Sequence, residues 1–236
     1  GIGGQGAATE GTFFTLVSSN EVTLTGSNTL AGTVGVSVNG RDASFDPGTG
    51  LWSSVQPLAA GFNRLFIASL DASGTILGSI TKDVVAETAT TRVGGVLSGN
   101  TTWTAAQGTI RVTNDLIVPA GVTLTLDPGT VVLLSPNASI RAVTNGVVSA
   151  QGTDAQPVYL LPADGTTQWG EVSARGAGAS ATLQGVELVA GQVIAHPDAV
   201  VTIEDSLLRD FRSANRLLLT ATNAQQFAVR RSHMNR

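Results

Sequence analysis

The sequence predicts an all-β chain in two parts, a small β-sandwich over residues 13 to 87 and a parallel β-solenoid over residues 93 to 236. Three observations carry that reading. Only 13% of the 236 residues are charged and 5% aromatic, with 28 Gly, against roughly 25% charged in an ordinary soluble domain. Short β-branched runs alternate with turn signals through the first third of the chain. Near its end, a seven-residue frame recurs, which is how a solenoid shows itself in sequence.

Residues 1 to 12 are Gly-rich and weakly patterned, so they are expected to form a flexible lead. Strand-like runs then follow at Phe13 to Val17, Glu21 to Thr25, Thr33 to Val38, Leu51 to Val55, Asn63 to Leu70 and Thr75 to Val85. That spacing suits a small β-sandwich. Asn39-Gly40 suits a type I′ hairpin turn, because both residues tolerate positive φ. Asp46-Pro47-Gly48 and Asp71-Ala72-Ser73-Gly74 preset further turns. Alternation places Val34, Val36 and Val38 on one strand face, and Leu65 with Ile67 on another. Trp52 is expected to plug the core between them.

The runs Glu21-Val22-Thr23-Leu24-Thr25-Gly26, Val36-Ser37-Val38-Asn39-Gly40, Leu51-Trp52-Ser53 and Leu58-Ala59-Ala60-Gly61-Phe62-Asn63-Arg64-Leu65 occur in that order. Together they resemble the Ig-like accessory modules of bacterial secreted and surface proteins. Thr88 to Arg92 carries no apolar period and reads as the linker between two folding units.

Beyond it come Gly94 to Trp103, Ile110-Arg111-Val112 and the stretch Leu116 to Val132, with its Pro119-Ala120-Gly121 and Asp127-Pro128-Gly129 turns. Gly146 to Thr153, Pro157 to Leu160 and Trp169 to Val172 continue the pattern. This series resembles the N-terminal coils of right-handed parallel β-helix domains of bacterial exoproteins, the pectate-lyase-like fold. The resemblance implies a right-handed winding and an extracellular or cell-surface location.

The internal repeat stands apart from any family. Thr182 to Leu188 overlays Thr202 to Leu208 at an offset of 20 residues, and Ala228 to Met234 repeats the frame 26 residues later. Coils of unequal length are a solenoid property, the extra residues lying in a loop. In this register Leu183, Ile203 and Val229 stack inward as one ladder. Val186, Ser206 and Ser232 stack beside them, and Leu188, Leu208 and Met234 beyond. Because only Asn235 and Arg236 follow the last frame, a further coil, cap or partner is expected after it.

Composition narrows the function classes. A net charge of −4, without a basic stripe, argues against nucleic acid as a partner. No apolar run approaches the roughly 18 residues of a membrane helix. The opening Gly1-Ile2-Gly3-Gly4 lacks an initiator Met and a signal peptide, and reads as a processed start. With no Cys, disulfides and thiolate metal sites are excluded, and no cofactor is implied.

Candidate chemistry is sparse. Related β-helices cleave acidic polysaccharides with clustered carboxylates, but here only Glu204-Asp205 are adjacent, and strand alternation turns them to opposite faces unless the strand bends. Asp210 and Arg212, with Arg209 beside them, and Arg230 with Arg231 are the ligand-binding candidates, for an anionic sugar groove; solvated ion pairs are the plainer reading. Asp42 and Asp46 are calcium candidates, although no spaced Asp-x-Asp-x-Asp motif exists and turn capping by their side chains is the favoured reading. His196, before Pro197, and His233 read as turn and surface residues. Trp52, Trp103 and Trp169 read as packing residues rather than sugar platforms. Asn100-Thr101-Thr102 and Asn137-Ala138-Ser139 are formal glycosylation sequons on turns, a triplet that chance supplies readily in a Thr- and Ser-rich chain. The apolar run Phe13, Phe14, Leu16 and Val17 is a candidate self-association segment.

The sequence is therefore expected to encode a non-enzymatic structural or adhesive module of an extracellular bacterial protein. Its partners would be further domains of the same polypeptide or copies of itself. Two rivals stand beside it: a polysaccharide-binding or polysaccharide-degrading protein with its site near Asp210 or outside this chain, and a subunit that assembles fibres or layers by strand addition.

Overall fold

In the computed structural model, residues 2–3, 12–211 and 218–235 are described. Among them the fold is all-β, with one short 3-10 turn at Ala105–Gln107. Among the described residues no helix is long and apolar enough to cross a membrane. The chain divides into two compact units, Gly1–Thr88 and Ala89–Arg236.

The first unit contains two sheets. One has the strand order Ile2–Gly3, Glu21–Asn28, Leu51–Pro57 and Ser44–Phe45, all antiparallel. The other runs Thr15–Val17, Ile76–Ala86, Gly61–Leu70, Gly35–Val38 and Arg41–Asp42, with the first pair parallel. Leu24 and Trp52 from one sheet meet Val36, Val38, Leu65, Ile67 and Val84 from the other in a common core. Asn28 Nδ2 donates to Ser69 Oγ inside that core at 2.7 Å, a satisfied polar link between the sheets.

Alternation accounts for these faces, with one exception. Val36 and Val38 are buried, but Val34 precedes the strand Gly35–Val38 and stays 54% exposed. Asn39 and Gly40 carry positive φ, 49° and 75°, as a type I′ turn requires. Of the Gly-rich lead, Ile2–Gly3 pairs with Ser27 and Asn28, and residues 4–11 lie outside the described residues.

The second unit is a β-solenoid of about six turns. Its strands stack in parallel into three columns. The first column contains Thr101–Trp103, Thr123–Leu126, Val147–Gln151, Ser180–Gln184, Val200–Glu204 and Gln226–Arg230. The long strand Thr109–Val118 takes part in both other columns. Its first half leads to Val131–Leu134, Val158–Pro162, Val186–Val189, Leu207–Arg209 and His233–Met234. Its second half leads to Ile140–Val143, Glu171–Arg175, Gln192–Ala195 and Leu219–Ala221. Thr90–Val96 also pairs with Thr109–Val118, so the stretch read as a linker already contains strand residues.

Inward side chains form lanes along the solenoid. Trp103, Leu126, Ala150, Leu183, Ile203 and Val229 succeed one another in register, and Leu124, Val148, Ala181, Val201 and Phe227 form the lane beside them. The ladder expected from the repeat is thus present, at the expected offsets of 20 and 26 residues. The residues that lengthen the last coil fall between Leu207–Arg209 and Leu219–Ala221. Leu183 and Ile203 are fully buried, whereas in the last rung Val229 is half-buried and Met234 is 44% exposed. Outward, the first column presents a hydroxyl lane of Thr102, Thr125, Ser149, Thr182 and Thr202.

Candidate functional site

The third column carries the richest cluster of functional groups. Within Glu171–Arg175, Val172 and Ala174 point into the core, so alternation turns Glu171, Ser173 and Arg175 outward. Arg141 stands opposite Ser173 one coil earlier. Since Ala174 pairs with Ala195 and His196 N–H donates to Ala174 C=O, His196 is the next-coil neighbour of Arg175.

Arg141 organises this face. Its Nη1 lies 2.6 Å from Asp115 Oδ2, and its Nε 3.3 Å from Glu171 Oε1. Nη2 donates to Ser139 Oγ at 3.3 Å, and that oxygen also accepts from Glu171 N–H at 3.2 Å. Asp115 Oδ1 accepts from Ser139 N–H at 3.1 Å. One arginine therefore ties together three coils. Glu171 is only 9% exposed, a burial that a carboxylate sustains only when paired. His196 Nε2 lies 3.8 Å from Glu171 Oε1, beyond hydrogen-bond reach. Ile117, Arg141, Val143, Glu171, Ser173, Arg175 and His196 line a cleft of about 460 Å³.

The expected ligand residues lie elsewhere, at two different corners of the coil. Asp210 follows the strand Leu207–Arg209 and pairs with Arg209 Nη1 at 2.6 Å, while Arg209 Nη2 reaches Glu187 at 2.8 Å. Arg230 ends a first-column strand and holds Glu204 at 2.8 Å. Arg231 forms a fork on Asp205, with Nε at 2.6 Å and Nη2 at 2.9 Å. Arg212 lies outside the described residues.

Glu204 and Asp205 meet the one condition under which they can share a side, a bend in the strand. Asp205 adopts φ 49°, so the strand bends there and both carboxylates approach Arg231, Glu204 Oε2 at 3.6 Å. They converge on an arginine of the next coil. Its fork holds the Asp205 carboxyl below the ordinary carboxylate range and raises the Arg231 guanidinium above its own.

Both oxygens of the calcium candidate Asp46 are engaged within its own turn. Oδ1 accepts from Gly48 N–H and Oδ2 from the Thr49 hydroxyl, each at 2.8 Å, and these bonds, the Thr49 one foremost, hold its carboxyl low. Asp42 sits exposed on the strand Arg41–Asp42. Among the described residues, no group of three or more His, Asp or Glu is placed to hold a metal ion. Of the self-association candidates, Phe14 is buried, and Thr15–Val17 pairs with Val84, Val85 and Ala86 of its own sheet. Phe13 is half-buried. His233 is exposed, and all three Trp are buried.

Sequence reasoning missed Asp115, Arg141, Glu171, Arg175 and the role of His196. Alternation within Glu171–Arg175 could have flagged the outward trio, but the unequal coil lengths hide which residues become neighbours. Compared with protein-family models, curated proteins and solved structures, the chain matches none.

Proposed function

We propose that this chain is an architectural segment of an extracellular bacterial surface or secreted protein, an Ig-like sandwich that spaces or presents joined to a right-handed β-helix acting as a stiff rod. The observation that carries this reading is the unbroken inward lane from Trp103 to Val229, flanked outside by arginines that bridge neighbouring coils. The two contributions differ in weight. Each fully buried Leu or Ile contributes about 1.5–3 kcal/mol, whereas exposed ion pairs contribute roughly 0–1 kcal/mol. The lanes thus supply cohesion, and the arginines hold coil to coil in register.

Two features support the finer parts of the reading. Two antiparallel-dominated sheets around one core in the first unit, with Thr15–Val17 and Ile76–Ala86 parallel at one edge, support the Ig-like part of the reading. Parallel strands joined by crossovers wind right-handed in about 98% of cases. The extracellular setting comes from the resemblance of residues 94 to 189 to exoprotein coils.

The reading predicts no depolymerising activity. Incubated with pectin, alginate and other polyuronates, the chain should release neither unsaturated products nor new reducing ends. Release of either would replace the rod with an enzyme.

A further inference from the structure

We propose that the third-column cleft binds a small organic carboxylate, held between Arg175 and His196 with its apolar flank against Ile117 and Val143. This inference does not depend on the architectural reading, since a rod and a binding protein share the same coils.

An open guanidinium is the first ground. Arg141 is shared between Asp115 and Glu171, both within ion-pair distance. Arg175 is exposed on the cleft wall and enters no ion pair among the described residues, so its fork is open to a ligand although the charges of this face sum to zero. Register is the second. Arg175 and His196 are outward neighbours on successive strands, about 4.8 Å apart along the stack. Guanidinium and imidazole therefore flank a single spot, with the buried Ser173 one alternation away.

The third ground is chemical class. A planar guanidinium fork matches a carboxylate with two parallel hydrogen bonds. A dianion such as phosphate would bring a second negative charge toward Glu171 and Asp115, which already occupy this face, so a monoanion fits better. The cleft volume of about 460 Å³ lies in the range of small-molecule sites. Ile117 and Val143 give it an apolar side for a ring or short alkyl chain.

The chain has two histidines, which supplies its own control. Imidazole proton resonances of His196 and His233 would be followed by NMR during titration with D-glucuronate, with D-glucose as the neutral counterpart and sodium sulfate at equal ionic strength. Glucuronate should shift His196 saturably and leave His233, on the second column, unmoved; glucose should shift neither. Arg175→Gln should weaken glucuronate binding about tenfold or more, with an unchanged unfolding midpoint. Arg175→Lys, which keeps the charge and loses the fork, should also bind more weakly than the native chain. Equal shifts at both histidines, sulfate binding as tightly as glucuronate, or native affinity in both Arg175 variants would overturn the proposal.

Discussion

Leu183 sits fully buried in the middle of its lane, with Ala150 on one side and Ile203 on the other. Because the neighbouring coils cannot close over the gap without losing their own register, Leu183→Ala should cost about 2–5 kcal/mol, read as a lowered denaturation midpoint. Gly191 tests the opposite fault. A Cβ there would lie within 2.1–2.5 Å of the Trp169 ring, whose Nε1 donates to Val189 C=O at 2.7 Å. Gly191→Ala should therefore destabilise by overpacking, by roughly 1–3 kcal/mol in the same measurement. Asp205 tests electrostatics. Its folded pKa is depressed by the Arg231 fork, so its contribution is complete above the unfolded value of about 3.9 and is lost as pH falls through the folded one. Hydrogen-exchange protection of Gln226–Arg230, corrected for intrinsic rates, should hold from pH 8 down to about 4 and fall as pH drops further. Asp205→Asn should lower it at neutral pH; unchanged protection in that variant would show that the fork does not secure the last rung.

Strands and their lanes were legible in the sequence wherever two conditions met: alternation within a run, and a nearly constant distance to the next. Both held for Thr182 to Leu188 and Thr202 to Leu208, and the register between them is as read. Neither the bend at Asp205 nor the cluster around Arg141 was legible, for different reasons. The bend depends on one residue adopting positive φ, which Asp tolerates without announcing it. The cluster depends on which residues of unequal coils become neighbours, and Asp115, Arg141 and Glu171 carry no common spacing. The same physics makes the elements unequal in tolerance. Inserting three Gly or Ser residues in the exposed turn after Ala155 lengthens a loop and should cost under about 1 kcal/mol. Inserting one residue inside Val147–Gln151 would turn Val148 and Ala150 outward, and circular dichroism should report loss of cooperative unfolding.

At the scale of the whole chain, two compact units with separate cores imply separate responses to damage. A lesion in the solenoid lane should spread to adjacent rungs, because each rung buries its apolar face only against its neighbours. It should not reach the core formed by Leu24, Trp52, Val36 and Leu65. Hydrogen exchange compared between the native chain and Leu183→Ala shows whether the rungs depend on one another. The stacked-lane account predicts that protection falls in Val147–Gln151 and Val200–Glu204 together with Ser180–Gln184, while Leu51–Pro57 and Gly61–Leu70 keep theirs. Loss confined to Ser180–Gln184, or loss shared equally by residues 51 to 70, would contradict it.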